Sequence, residues 1–176
     1  VAAQVALDVT GDVAAVSASA SGPIAYRPGP GANARQFIWY DRTGKELSRV
    51  GAPDSANLLN PSLSPDGRYL AVERDVDGNG DIWLLDTRRG VFTRLTSDPL
   101  HDVHPQWSPD GTQVVFGSDR HGPYDLYLKS AFDSAPETLL LQSPETKNVS
   151  DWSRDGRFIL FRRSNPQNGF DIWALP

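Results

Sequence analysis

The sequence predicts an all-β fold built from repeated four-stranded sheets, and three observations predict it. The first is a turn that recurs. Ser64-Pro65-Asp66-Gly67 and Ser108-Pro109-Asp110-Gly111 each feed an apolar run, Ser153-Arg154-Asp155-Gly156 does the same, and Ser19-Ala20-Ser21-Gly22 is a worn copy. The glycines fall at 22, 67, 111 and 156, so the steps are 45, 44 and 45 residues. The second is a landmark kept in step with the turn. Asp81-Ile82-Trp83, Asp125-Leu126-Tyr127 and Asp171-Ile172-Trp173 begin 14, 14 and 15 residues after their glycines (81−67, 125−111, 171−156), and Gln36-Phe37-Ile38-Trp39 begins 14 after Gly22. The third is composition. Gly (15) and Pro (14) make up about a sixth of 176 residues, which suits many short strands joined by turns.

The turn has a physical basis. Proline presets φ at the second position, aspartate bonds the local backbone at the third, and glycine takes the left-handed conformation that closes a bulged hairpin. Taken in order, Val1–Asp8 reads as a strand centred on Val5-Ala6-Leu7, ended by Gly11-Asp12. Val13 to Ser19 and Ile24 to Arg27 form the first turn-linked pair. Pro28 to Asn33 is a loop, Phe37 to Asp41 a third strand and Glu46 to Val50 a fourth. The pattern returns with strands near 57–63, 69–74, 81–86 and 91–96, then 103–107, 113–118, 125–129 and 136–142, then 148–152, 158–163 and 171–175. Leu139-Leu140-Leu141 is the one ambiguous run, and Pro136 and Pro144 bracket it tightly enough to favour a strand. No apolar stripe of period 3.6 reaches helical length.

Four strands per roughly 44 residues is the unit of a β-propeller blade. The expected architecture is a single propeller over 1–176 with about four visible blades, at 13–51, 56–97, 102–142 and 147–176. Each blade stacks between neighbours, so a strand such as Ile82-Trp83-Leu84-Leu85 is apolar on consecutive residues. Trp107 and Trp152, with Leu63 in the second copy, read as packing residues between blades. The fourth copy lacks a last strand. Strand 1–8 is expected to complete it within one ring or between two molecules, unless both ends are cuts through a longer ring.

Ser-Pro-Asp-Gly, an apolar strand, a polar loop such as Ser118-Asp119-Arg120-His121-Gly122, then Asp-Leu-Tyr or Asp-Ile-Trp together resemble the WD-repeat-like propeller repeats of the TolB family. They are also similar to propellers of prolyl-oligopeptidase-type peptidases and to extracytoplasmic propellers of some bacterial kinases. The resemblance covers about 13–175 and implies a propeller that binds other proteins or gates an active site carried elsewhere. It also implies a periplasmic or extracellular setting, which the absence of cysteine fits.

Composition narrows the function. Net charge is −5 with both signs interspersed, so nucleic acid and anionic membrane surfaces are not expected partners. No apolar run approaches the roughly 18 residues that span a bilayer. The chain shows no signal-type opening and no methionine, so a processed product or a piece of something longer is expected. Without cysteine there are no disulfides or thiolate sites. No Gly-x-Ser-x-Gly elbow, phosphate loop or dinucleotide fingerprint occurs. No catalytic residue and no cofactor is expected. His101 and His104 flank Asp102, but His104 stands where the second copy has Asn60 and the fourth roughly Val149. Together with His121 they read as blade-edge residues.

Asp75, Asp77 and Asn79 alternate before Gly80, as at the start of a Ca²⁺ loop, with Asp86 at the twelfth position. The stretch reads first as a polar hairpin tip, because Asp-Gly and Asn-Gly form turns. Calcium is the alternative, and calorimetry after chelation tests it. Asn148-Val149-Ser150 is a formal glycosylation sequon. In a bacterial source no modification is expected there. Arg88, Arg89, Arg162 and Arg163 read as solvated tips.

The expected function is a non-catalytic protein-binding or scaffold module whose surface is formed by loops 28–35, 75–80, 119–124 and 164–170. The alternatives are a subunit that self-assembles into rings or filaments through strand 1–8, and a gating or sensor domain of a larger hydrolase or kinase.

Overall fold

The structure is a computed structural model. It describes residues 34–176 in full, together with the backbone of two strands, Val16–Ala18 and Ile24–Tyr26. The expectations for strand 1–8, the turn at 19–22 and the loop at 28–33 lie outside the described residues. Among the described residues the regular structure is all strand.

Four antiparallel sheets follow one another along the chain, each a simple meander. The first holds β1 (Val16–Ala18), β2 (Ile24–Tyr26), β3 (Arg35–Tyr40) and β4 (Glu46–Asp54). The second holds β5 (Asn57–Leu63), β6 (Tyr69–Val76), β7 (Asn79–Asp86) and β8 (Val91–Arg94). The third holds β9 (Asp102–Trp107), β10 (Gln113–Ser118), β11 (Asp125–Ser130) and β12 (Thr138–Leu141). The fourth holds β13 (Lys147–Trp152), β14 (Ile159–Asn165) and β15 (Gly169–Leu175). The sheets are the expected blades, and β5, β9 and β13 are their neighbouring inner strands.

The turns explain why each hairpin forms where it does. At Ser64 the hydroxyl donates to Asp66 (2.6 Å) and accepts the Tyr69 amide (2.9 Å), while the Asp66 carboxylate takes the Arg68 amide (3.0 Å). The same network recurs at Ser108–Asp110 and Ser153–Asp155. Arg154 replaces proline in the last copy and the network survives, so the serine and aspartate carry the turn. Those hydrogen bonds hold the Asp66, Asp110 and Asp155 carboxyls below the usual range, the serine bond being the largest cause.

Strand alternation sends successive side chains to opposite neighbours. Leu70, Val72 and Leu85 pack against Phe37 and Val50 of the first sheet. Ala71, Ile82 and Leu84 pack against Trp107, Val114 and Phe116 of the third. Val115 and Leu126 meet Val149, Ile159 and Phe161 of the fourth. Each such side chain taken from water contributes about 1.5–3 kcal/mol, so the interfaces between sheets are the core. Trp107 is 5% exposed and its indole N–H donates to the Ser62 carbonyl across the interface (3.0 Å), as expected of an interblade residue. Leu63 and Trp152 lie in the two flanking interfaces.

The landmark aspartates bind at these interfaces. Asp125 pairs with Lys147 of the next sheet at 2.8 Å, and both side chains are buried. The ammonium also donates to the Ser143 carbonyl (3.1 Å) and hydroxyl (2.9 Å) and to the Glu145 carbonyl. One interface back, Asp81 meets the carboxylate of Asp102 across the junction, where Asp125 meets a lysine of the next sheet. Thr96 lies beside them, its hydroxyl accepting the Ile82 amide (3.0 Å). Arg94 bonds Asp81, and Arg120 bonds Asp102 at 3.1 Å. Burial still pushes both carboxyls up.

Two expected loops are shorter than the sequence suggests. The stretch 75–80 is mostly strand, because Val76 pairs with Asn79 across a two-residue turn. Asp77 (φ 56°) and Gly78 (φ 86°) give both central residues the positive φ that a type I′ turn requires. Likewise Asn165 pairs with Gly169, so the tip of 164–170 is 166–168.

Candidate functional site

In a meander the second-to-third connections and the links to the next sheet share one end of the strands. At that end polar side chains of three blades converge. The cause is a bulge in each inner strand. Leu59 pairs with Glu73 and Ser62 with Ala71, so Asn60-Pro61 is squeezed out of register. His104-Pro105 is squeezed out of β9 in the same way. The extra residue takes a left-handed conformation, φ 47° at Asn60 and 53° at His104. Asparagine and histidine are among the residues that tolerate it, which gives the repeat equivalence of these two positions a backbone reason.

The Glu73 carboxylate joins the two bulges. It accepts the Asn60 side-chain amide at 2.9 Å and the His104 backbone N–H. Burial pushes Glu73 up, opposed by those hydrogen bonds and by His101. His101 accepts the Gly80 amide at its Nδ1 (3.2 Å), which leaves Nε2 as the ring's donor. The His101 backbone N–H donates to Asp119 (2.8 Å), and the Asp119 N–H donates back to the His101 carbonyl (3.2 Å). This locks the link 97–101 onto loop 119–124. The His104 ring is lowered by burial and by the Arg162 guanidinium, so it is neutral at pH 7. The Tyr124 phenol is raised by burial and by Asp119 and Glu73.

The arrangement offers a fixed carboxylate, two imidazoles, a phenol and a guanidinium across neighbouring blades. That is a recognition surface of mixed charge. Among the described residues the hydroxyl–histidine hydrogen bond is Tyr127–His121 (2.7 Å), and that hydroxyl belongs to a buried ring beneath Arg120. It presents no exposed nucleophile beside a base.

His101 and His104 both act on Glu73 at this site, whereas His121 bonds the Tyr127 hydroxyl. Asp75 and Asn79 are spent locally: Asp75 accepts the Gly78 amide (2.9 Å), and the Asn79 amide donates to the Asp98 carbonyl (2.9 Å) and to Asp81 (3.3 Å). Asp86 caps the amides of Arg88 and Arg89 at the opposite end of the sheet. Among the described residues no three His, Asp or Glu side chains are gathered so as to hold a metal. Arg88 and Arg89 are exposed, as expected of tips. Arg162 and Arg163 are not tips. They lie inside β14, stacked over Phe170 (5.4 Å) and Trp173 (3.7 Å), because that strand runs on to Asn165.

Sequence reasoning missed Glu73, Tyr124 and the role of Arg162. A signal was present: the repeat-equivalent positions 73, 117 and 162 carry Glu, Gly and Arg in otherwise apolar strands. Charge that changes sign at one fixed place in a repeat marks a surface that is being varied.

A profile described as TolB beta propeller domain matches residues 24–174. The uncharacterized protein Atu1656 of Agrobacterium fabrum is 34% identical over 64% of this chain and 38% of its own length. The uncharacterized peptidase YuxL of Bacillus subtilis is 31% identical over 59% of this chain and 17% of its own. The Tol-Pal system protein TolB of Helicobacter pylori is 29% identical over 65% and 27%. The chain therefore spans well under half the length of these relatives. Among solved structures, TolB from Acinetobacter baumannii matches 91% of this chain and 40% of its own, with a TM-score of 0.78 at 22% identity. The tricorn protease matches 97% and 18%, with a TM-score of 0.64 at 14% identity. At these identities the structures show the fold, which is a propeller.

Proposed function

This chain belongs to the TolB beta propeller domain family, and on that premise we propose that it is a protein-binding module without catalysis of its own. Its partner docks at the strand ends where Glu73, His101, His104, Tyr124 and Arg162 converge. One observation carries this reading. A single half-buried carboxylate ties together the bulges of adjacent inner strands, so the surface is rigid while the tips around it differ from blade to blade, as in a fixed scaffold with a variable site. A partner protein is in keeping with the Helicobacter relative, which is a Tol-Pal system protein. We place the module in the periplasm or outside the cell, in line with the family resemblance. Among the described residues no helix is long and apolar enough to cross a membrane.

Immobilised protein exposed to envelope extract of the source organism tests the reading. H101A and R162E should lose a partner that R154E, on the opposite end of the fourth sheet, retains. Capture of no partner, or equal capture by all variants, would count against it. A second reading has its own support in the peptidase name of YuxL: the propeller gates a hydrolase carried elsewhere in a longer chain. A catalytic domain encoded in the same reading frame would favour that one.

A further inference from the structure

The chain holds two Asn-Gly steps, Asn79-Gly80 and Asn168-Gly169. Their covalent chemistry is the same. Glycine has no side chain to shield its backbone nitrogen or restrict its dihedrals, so that nitrogen reaches the carbonyl carbon of the asparagine side chain when the chain bends there. The fold makes the two steps unlike. Asn79-Gly80 lies inside β7, where Asn79 pairs with Val76 and Gly80 with Asp75. The Asn79 amide is held by the Asp98 carbonyl (2.9 Å) and by Asp81 (3.3 Å). The Gly80 nitrogen, the atom that would attack, donates to Nδ1 of His101 (3.2 Å). A Cβ at Gly80 would stand 3.3 Å from that same ring nitrogen, so the step is packed against the link to the third sheet. Attack there requires all of these contacts to open first.

Asn168-Gly169 stands at the tip of the last hairpin, where Asn165 pairs with Gly169 around 166–168. Gln167, Asn168, Gly169 and Phe170 are all exposed. Gly169 holds φ at 93°, and a Cβ on it would meet nothing within 4 Å. The Asn168 amide rests on Asp171 (2.9 Å), which also accepts the Asn165 amide (2.6 Å). Those two amides, Asn165 foremost, hold the Asp171 carboxyl below its usual range, so it is charged at neutral pH. The tip is thus latched to its own strand by two side-chain amides on one carboxylate, and one of the two belongs to the open Asn-Gly step.

We propose that Asn168 is a site of spontaneous deamidation and that its conversion releases this latch. The Gly169 nitrogen bonds to Cγ of Asn168 and gives up its proton. The Cγ–Nδ2 bond breaks, and ammonia leaves with that proton. A cyclic imide remains, and water opens it at either carbonyl, leaving aspartate or isoaspartate at 168. Water is the one co-reactant. Either product sets a carboxylate beside Asp171 where a donor stood, so an attraction becomes a repulsion between like charges. Isoaspartate also adds a methylene to the backbone next to the Asn165–Gly169 pair. The following pair, Ser164 with Phe170, carries the ring that Arg162 lies over at 5.4 Å. The tip borders the docking surface proposed above, so on that reading conversion resets the charge that a partner meets.

The test needs no partner, so its outcome is separate from that of the docking surface. The full chain is aged in warm, mildly alkaline buffer, digested at arginine and lysine, and followed by mass spectrometry. Peptide 164–176 should gain the mass of an amide turned to an acid, at least about tenfold faster than peptide 75–88, because the strand pair around Asn79 must open before attack. Asn168→Gln should abolish the gain. Hydrogen exchange should then show the amides of 164–176 exchanging faster in the aged chain than in aged Asn168→Gln, with 113–130 of the third sheet unchanged. No gain at 168, or equal rates in the two peptides, overturns the site. A full gain with exchange equal to that of aged Asn168→Gln overturns the release.

Discussion

Gly67 and Gly90 both hold positive φ, +71° and +66°, for different reasons. At Gly67 a Cβ would meet nothing within 4 Å, so Gly67→Ala isolates the cost of a left-handed residue, roughly 1–2 kcal/mol. At Gly90 the Cβ would stand 2.8 Å from the Cα of Gly51, where β4 of the first blade presses on the second. Backbone cannot swing aside as a side chain can. Urea unfolding should therefore show Gly90→Ala costing clearly more than Gly67→Ala; equal costs would contradict the close approach. Gly67 was legible in the sequence because the turn chemistry is local and recurs. Gly51 and Gly90 were not, because the need arises only when two sheets meet. Asn60 and His104 fall between the two cases: their equivalence was readable from the spacing, their bulge was not.

At the scale of the element, the junction between blades decides how each landmark aspartate behaves. Lys147→Met leaves Asp125 buried without its cation, and thermal or chemical denaturation should show a loss of about 3–5 kcal/mol. A loss near that of a surface substitution would mean the pair is not buried as described. The junction of Asp81 with Asp102 behaves in the opposite sense. An unfolded aspartate titrates near pH ~3.9. Asp81, Asp102 and Glu73 titrate higher in the folded chain, so their ionisation at neutral pH works against folding. Their contribution to stability should rise as pH falls through those raised values, while His104, which titrates lower when folded, works the other way as pH falls below its unfolded value. Asp66, Asp110 and Asp155 titrate lower when folded. Their contribution is present above the unfolded value and is lost as pH falls through the folded one, below about pH 4. Arg94, Arg120, Asp98 and Glu137 are the charged groups around the junction. With His104→Asn removing the opposing titration, calorimetry across pH should show a maximum on the acid side of neutral, with the rise reduced when Asp102→Asn is added. A steady fall from pH 7 would contradict this. The landmark was visible at its fixed offset after each glycine. The partner each aspartate finds was not, because Arg94, Asp102 and Lys147 come from other strands and change from copy to copy.

At the scale of the molecule, the period of about 44 residues and the paired landmarks made the fold readable, since each repeat is one sheet that buries both faces against its neighbours. The recognition surface was readable only as a set of loop ends. Its chemistry lies in strand residues, Glu73 and Arg162, and in the links between sheets, where the periodic pattern says nothing about what a side chain meets. The central claim is that the sheets turn about an axis and do not stack in a line. Because the chain has no cysteine, spin labels can be placed singly and in pairs at positions 68, 112 and 157, which follow the turn glycines of three successive blades. Electron–electron distance measurements should give similar values for 68–112 and 112–157 and a 68–157 distance clearly shorter than their sum, as for three points on a circle. A 68–157 distance equal to that sum would mean a straight stack and would contradict the propeller.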